Sequence, residues 1–189
     1  MRQLGGGLLC VGISPDIGSK LNLSYMWDIL LQTKSPSLSN LVNTNRNTSQ
    51  RSTHSITFNH RTLGGATDLQ RSSSISSLHE LCKGYNSNNN LSRDFHSMFE
   101  SPGHLQMLIG SPGLLKSREG HTELSLFLCE VSNLIPIVIM CEILDNQTFT
   151  AKSAVDCEQL AKENNITFIE ANTILDYYKT NFDNGPGET

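Results

Sequence analysis

No apolar run in this 189-residue chain approaches the ~20 residues that a membrane-spanning helix needs. No apolar segment leads from Met1 to a small-residue cleavage site, so the opening Met-Arg-Gln and the glycines Gly5, Gly6 and Gly7 do not read as a secretory signal. Basic charge is also short: 14 Lys and Arg against 18 Asp and Glu leave a net charge of −4 and a pI near 5.8. A nucleic-acid or anionic-membrane surface wants the opposite excess, so neither partner is expected. The five cysteines, Cys10, Cys82, Cys129, Cys141 and Cys157, are odd in number and scattered through mostly apolar surroundings. That suits reduced thiols in a cytoplasmic protein better than a disulfide frame. Asn-x-Ser/Thr triplets at Asn47, Asn90 and Asn165 carry no weight without a secretion route.

What is present is enough for one domain with a real core, expected over residues 1–182, followed by a flexible Gly/Pro-rich tail over 183–189. Leu8 to Ile13 reads as a strand, and Ser14-Pro15-Asp16 supplies an N-cap, a proline at the first helical position and an acid in the first turn. Ser35 to Ser55, rich in Ser, Thr and Asn, reads as a surface loop, and Ser55 to His60 as a short strand. Gly64-Gly65 marks a turn, and Ser74 to Lys83 a helix with Leu78, Leu81 and Cys82 inward. Asn86 to Asn90 reads as a flexible linker and Ser101-Pro102-Gly103-His104 as a turn before a Leu105–Ile109 strand.

The stretch from Arg118 to Leu144 concentrates the chemistry. Arg118-Glu119-Gly120 is a tight polar loop opening a helix whose Leu124, Phe127, Leu128 and Val131 share one face at steps of three and four. Asn133 and Pro136 close that helix, because proline cannot continue the hydrogen-bond ladder. Ile137 to Leu144 is nearly continuous apolar residues and reads as a buried strand. Glu142 then stands inside it, where an ionised carboxylate costs several kcal/mol, order of magnitude, unless something pairs with it. Beyond it, Asp145-Asn146 turns the chain, and Ser153 with Asp156 makes a capping pair for a helix through Asn164. Ile166 to Ile169 reads as a strand, and Asn172 caps a last helix carrying Ile174, Leu175 and Tyr178. The class expected is α/β (α+β), a mixed sheet flanked by helices.

Arg118-Glu119-Gly120-His121-Thr122-Glu123 resembles the Arg…Gly-His-Thr-Glu motif of the 3,4-dihydroxy-2-butanone 4-phosphate synthases of riboflavin biosynthesis. Pro102-Gly103-His104 resembles that family's Pro-Gly-His turn, Cys141-Glu142 its strand-borne Cys-Glu, and Gly6-Gly7-Leu8-Leu9-Cys10-Val11 its first Gly-Gly strand; Ser55 to His60 resembles the strand after it. The four motifs occur in order along nearly the whole chain, and the likeness is closest to the archaeal style. The resemblance implies that family's fold and a homodimeric lyase, dependent on Mg²⁺ (or Mn²⁺), that converts D-ribulose 5-phosphate to 3,4-dihydroxy-2-butanone 4-phosphate and formate. It implies His104 and Glu142 as the general acid/base pair. Arg118, Glu119, Gly120, His121, Thr122 and Glu142 would hold substrate, and His121 would be a metal ligand. The chemistry suits such parts: a guanidinium fork and a helix start attract a phosphate, and an imidazole and a desolvated carboxyl can shuttle protons.

Two departures from that family's pattern are visible. Its acidic Arg-Glu-x-Glu loop, which supplies a metal-binding glutamate, has no counterpart in these 189 residues, as if the domain were truncated at its N-terminus. Thr62-Leu63-Gly64-Gly65-Ala66-Thr67-Asp68-Leu69-Gln70-Arg71 departs from the family's phosphate-contacting Thr-x-Thr-Gly loop, leaving Thr62 or Thr67 as the contact and Gln70 where an aspartate is usual. The alternative is a degenerate homologue that binds a sugar phosphate, or only dimerises, without catalysis.

Overall fold

The structure is a computed structural model and describes residues 4–42 and 51–182. The expected tail over 183–189, Asn47 and residues 43–50 of the expected surface loop lie outside the described residues. The chain divides into two compact units, Cys10–Ile139 and the pair of segments Met1–Leu9 with Met140–Thr189.

The larger unit is built on a four-stranded sheet in the order β2-β3-β1-β4, with β1 at Cys10–Ile13, β2 at His54–His60, β3 at Phe99–Ile109 and β4 at Ile137–Met140. β1 runs parallel to β3, with Cys10 opposite Gln106 and Ile13 opposite Ile109. All four β1 residues are buried, the pattern of a strand covered on both faces. Ser14 ends it and caps α1 (Pro15–Lys20), its Oγ accepting from the Ile17 N–H at 3.2 Å, as the Ser-Pro-Asp signal requires. α2 (Met26–Gln32) and α3 (Pro36–Ser39) follow, so the start of the expected surface loop forms one helical turn with proline at its N-terminus.

β2 pairs antiparallel with β3, and this pairing overturns the expected Ser101–His104 turn. Phe58 lies opposite Leu105, but the next residue, Asn59, lies opposite Glu100. Residues 101–104 are therefore extra chain carried by β3 as a wide bulge, not a turn outside it. Gly103 permits the fold-over: a Cβ there would overlap the Phe58 carbonyl. The Gly103 N–H donates to Thr57 Oγ1 at 3.1 Å, so the bulge is tied back to β2. Pro and Gly mark irregular backbone in either case; only the partner strand distinguishes a bulge from a turn.

α4 spans Asp68–Cys82 and starts six residues before the expected Ser74. Thr67 and Gln70 form a reciprocal capping box, Gln70 N–H to Thr67 Oγ1 at 3.3 Å and Thr67 N–H to Gln70 Oε1 at 3.0 Å. Leu78 and Cys82 are buried as expected, with Ser74 and Ile75, while Leu81 is half-buried. The expected Asn86–Asn90 linker leads into a helix that was not expected, α5 (Leu91–Met98), which buries Leu91 and Phe95 one turn apart. Phe95 stacks on Phe99, and Phe58 meets Phe99 edge-on, so α5 seals the end of the β2–β3 pair. α6 (His121–Val131) buries Thr122, Glu123, Leu124, Leu126 and Phe127. Its inward face thus lies nearer its N-terminus than the expected Leu124-Phe127-Leu128-Val131 stripe, because Glu123 is drawn inside.

In the smaller unit, residues 5–8 run alongside 141–144: the Gly7 N–H donates to Glu142 O at 3.1 Å, and Gly6 bridges Ile143. Asp145 organises the next turn, accepting from the N–H groups of Gln147 and Thr148 and from the Thr148 hydroxyl. Ser153 caps α7 (Ala154–Glu163) by accepting from Asp156 N–H at 3.1 Å, and Asn164 ends it, as expected. The expected Ile166–Ile169 strand does not form; Ile166 and Ile169 are exposed and lead directly to α8 (Ala171–Asn181). A short apolar run becomes a strand only with a partner ladder, and none pairs with it among the described residues. The mixed sheet with flanking helices is the fold class the sequence implied.

Candidate functional site

The start of α6 is built around a buried carboxylate. A short 3-10 turn, Leu114–Lys116, delivers Arg118, and Gly120 takes the extended N-cap position with no side-chain cap. Glu123, 0% exposed, reaches back from the first turn of α6. Its Oε1 accepts from the Ser111 N–H and the Ser111 hydroxyl, each at 2.9 Å, and its Oε2 pairs with Arg118 Nη1 at 3.2 Å. A buried charge survives only when paired and hydrogen-bonded in this way. The Arg118 side chain remains 26% exposed. Tyr25 belongs to the same neighbourhood, its hydroxyl donating to Gly110 O at 2.9 Å. Burial, and then the negative charges of Glu123 and Asp28, hold its pKa above the ordinary tyrosine value, so it stays a donor.

The expected ligand-binding residues therefore occupy different environments. Arg118, Glu119, Gly120, His121 and Thr122 follow one another at one helix start; His121 and Glu119 are exposed, while Thr122 is buried. Glu123 and Ser111, which no reading of the motif singled out, orient the arginine. The available signal was positional: Glu123 lies three and four residues before Leu126 and Phe127, on the apolar side of the helix.

His104 stands exposed on the β3 bulge, in the same unit. Its backbone N–H donates to Asn59 Oδ1 at 2.8 Å, and Asn59 Nδ2 lies 3.0 Å from its ring Nδ1. Gly65 packs over this pair: a Cβ there would overlap Asn59 Oδ1 and stand 2.9 Å from His104 Nδ1. Thr67, at the α4 cap, spends its hydroxyl on Gln70 N–H, whereas Thr62 is exposed beside His60 Nδ1 at 3.1 Å. The glutamine that departs from the family pattern thus closes a capping box.

Glu142 is described within the smaller unit, and its expected setting is corrected: β4 ends at Met140, two residues before it, and Glu142 is exposed. The greasy run does not continue as a buried strand, because β4 itself is half-buried with Ile139 exposed, and the chain beyond it pairs with residues 5–7. Its carboxylate is nevertheless placed, Oε2 accepting from Leu8 N–H at 3.1 Å. Gly7 makes the approach possible, since a Cβ there would lie 2.5 Å from the same oxygen. The Cys141 thiol donates to Gly7 O at 3.3 Å.

Among the described residues, no three His, Cys, Asp or Glu side chains lie close enough to hold a metal ion. His121 offers one imidazole, and the nearby Glu123 carboxylate is committed to Ser111 and Arg118. Magnesium takes mainly oxygen ligands, so the described donor set does not by itself fit that ion, and no step below passes through it.

An α+β domain that exposes an imidazole on a strand bulge and an arginine at a helix start defines the class: a scaffold with its polar chemistry at strand ends and loops. Comparison with known proteins makes this specific. The family model for 3,4-dihydroxy-2-butanone 4-phosphate synthase matches residues 1–177. The enzyme of that name from Methanothermobacter thermautotrophicus is 33% identical over 181 residues, covering 94% of this chain and 77% of that protein. Among solved structures, a two-domain 3,4-dihydroxy-2-butanone 4-phosphate synthase from A. baumannii aligns with a TM-score of 0.70 at 20% identity, over 96% of this chain and 46% of that one. A 3,4-dihydroxy-2-butanone 4-phosphate synthase in complex with two magnesium ions aligns at 0.66 and 17%, over 96% and 77%. At those identities the structures speak for the fold alone. This chain belongs to the 3,4-dihydroxy-2-butanone 4-phosphate synthase family.

Proposed function

We propose that the protein is a lyase that converts D-ribulose 5-phosphate to 3,4-dihydroxy-2-butanone 4-phosphate and formate in riboflavin biosynthesis. The observation that carries this reading is 33% identity sustained over 94% of the chain with an enzyme of that name. The substrate is isomeric with its two products taken together, so the reaction needs no redox cofactor or net water. It does need repeated proton transfer beside a carbonyl, through enediolate intermediates with charge on adjacent oxygens. His104, exposed and held by Asn59, is assigned proton transfer at Nε2. Glu142 is assigned the complementary acid/base role and a substrate contact, its carboxylate placed by Leu8 N–H. Arg118, oriented by Glu123, offers its remaining donors to the phosphate, with Glu119, the Gly120 amide, His121 and Thr122 completing the turn. The resemblance also implies a divalent cation, magnesium or manganese, with His121 assigned as a ligand; the described donors do not complete a site for it, and no step here depends on it. The same reading carries a cytoplasmic homodimer. Among the described residues, no helix is long and apolar enough to cross a membrane.

Formate release from D-ribulose 5-phosphate with added Mg²⁺ tests the proposal directly. His104→Asn and Glu142→Gln should each lower it by at least about 10²-fold while leaving the circular dichroism spectrum unchanged. Heat of ribulose 5-phosphate binding without formate would refute the proposal and support the non-catalytic alternative.

A further inference from the structure

We propose that Tyr25 is a positioning residue that sets the aim of Arg118, and with it the affinity for a phosphorylated substrate, by pinning the end of β3; the inference rests on the phosphate-binding role given to Arg118 above. The link runs through one turn of backbone. Gly110 follows the last residue of β3, and its N–H donates to Ile13 O at 2.9 Å, which ties it to the end of β1. Its carbonyl is held from the other side by the Tyr25 hydroxyl, also at 2.9 Å. The next residue is Ser111, whose N–H and hydroxyl both donate to Glu123 Oε1. Glu123 Oε2 in turn holds Arg118 Nη1 at 3.2 Å.

The parts around this path leave it little slack. A Cβ on Gly110 would lie 2.6 Å from Leu126 Cδ1 and 3.0 Å from Leu114 Cδ2, so α6 and the turn before it pack directly on the pinned peptide. Gly120 lies as close to the ion pair: a Cβ there would stand 2.7 Å from Glu123 Oε2 and 3.1 Å from Arg118 Cζ. The guanidinium therefore cannot swing toward Gly120, and its direction follows the place of Glu123, which follows Ser111. Tyr25 is itself held. Its ring stacks on Trp27 with centroids 5.6 Å apart and planes 12° from parallel, and the Arg51 guanidinium sits 4.3 Å over the Trp27 ring. Without the hydroxyl, the Gly110 carbonyl has no such tether, and Ser111 loses its fixed place under the carboxylate.

The decisive substitution is Tyr25→Phe, which keeps the ring stack and removes only the donor. A phosphate that takes no part in bond making is bound alike in substrate and transition state, so a mis-aimed Arg118 raises KM and spares kcat. KM for formate release from D-ribulose 5-phosphate should rise about tenfold, with kcat within roughly twofold of wild type. The dissociation constant of ribulose 5-phosphate, read by titration calorimetry, should rise by the same factor. The melting temperature should fall by no more than about 5 °C, the scale of one lost hydrogen bond. A double-mutant cycle separates positioning from general loosening. In Glu123→Gln the charge that orients Arg118 is already gone, so adding Tyr25→Phe should raise KM less than about twofold. Unchanged KM in folded Tyr25→Phe, a fall in kcat alone, or a tenfold effect that persists in Glu123→Gln would overturn the inference while leaving the lyase assignment standing. Absence of formate with every variant, together with tenfold weaker ribulose 5-phosphate binding by Tyr25→Phe, would instead overturn the lyase assignment and uphold the positioning of Arg118.

Discussion

Removing the Glu123 carboxylate should destabilise the protein more than any change to the residues it orients. In Glu123→Ala, Ser111 loses an acceptor for both its amide and its hydroxyl, and Arg118 loses its partner. Breaking a buried ion pair by deleting one member costs about 3–5 kcal/mol. Arg118 is one-quarter exposed and can turn to water, which places the loss near the lower end. Removing the one buried methylene adds roughly 0.8 kcal/mol. The total, about 3–5 kcal/mol, lowers the melting temperature by roughly 6–20 °C for a chain of this size. Glu123→Gln keeps an oxygen for Ser111 and sacrifices only the charge opposite Arg118, so it should cost about 1–2 kcal/mol. Guanidinium unfolding followed by tryptophan fluorescence reads all three proteins, and the order expected is wild type, then Gln, then Ala. A loss below about 1 kcal/mol in Glu123→Ala would refute the reasoning, since no buried carboxylate with those partners could be so dispensable.

Three further outcomes are expected. Gly103→Ala drives a Cβ into the Phe58 carbonyl, so the bulge must shift, and unfolding should come about 2 kcal/mol or more earlier by urea titration. Burial pushes the Cys82 thiol up to about 12, so a thiol reagent at about pH 8 should label it only after denaturation; because its folded pKa is raised, stability should hold below the ordinary thiol pKa and decline as pH rises past about 9. Asp145 is held well below the usual carboxylate range by the Thr148 and Gln147 N–H groups, then by the Thr148 hydroxyl and Lys152. Its contribution is present above the ordinary aspartate pKa of about 3.9, so the melting-temperature gap between wild type and Asp145→Asn should shrink as pH falls from about 5 toward 2.

Local signals carried the parts of the fold whose cause is local. Ser14-Pro15-Asp16 and Ser153 with Asp156 start helices through bonds spanning three residues, so the sequence around them contains the whole reason. The Arg118–Glu123 turn was legible as a motif, although the role of Glu123 needed Ser111, twelve residues away. Long-range causes stayed hidden. Whether Ser101–His104 turns or bulges depends on where Phe58 and Asn59 pair, and whether Ile166–Ile169 is a strand depends on a partner that its own residues do not encode. Glu142 looked buried because its neighbours in Ile137–Leu144 are apolar, yet β4 stops at Met140 and residues 5–8 take over the pairing. α5 carried a readable Leu91–Phe95 spacing that the asparagine-rich run before it masked.

The surplus residues in β3 loosen a constraint that strands ordinarily impose. In an unbroken ladder each side chain is committed to one face, and moving any of them moves the rest. His104 sits among residues exempt from that rhythm, while Leu105 and Met107 resume it one step later with their side chains sealed inside. Substitutions at His104 are therefore free to alter reactivity while the hydrophobic interior stays assembled, and inactive variants at this position should purify as well-behaved protein.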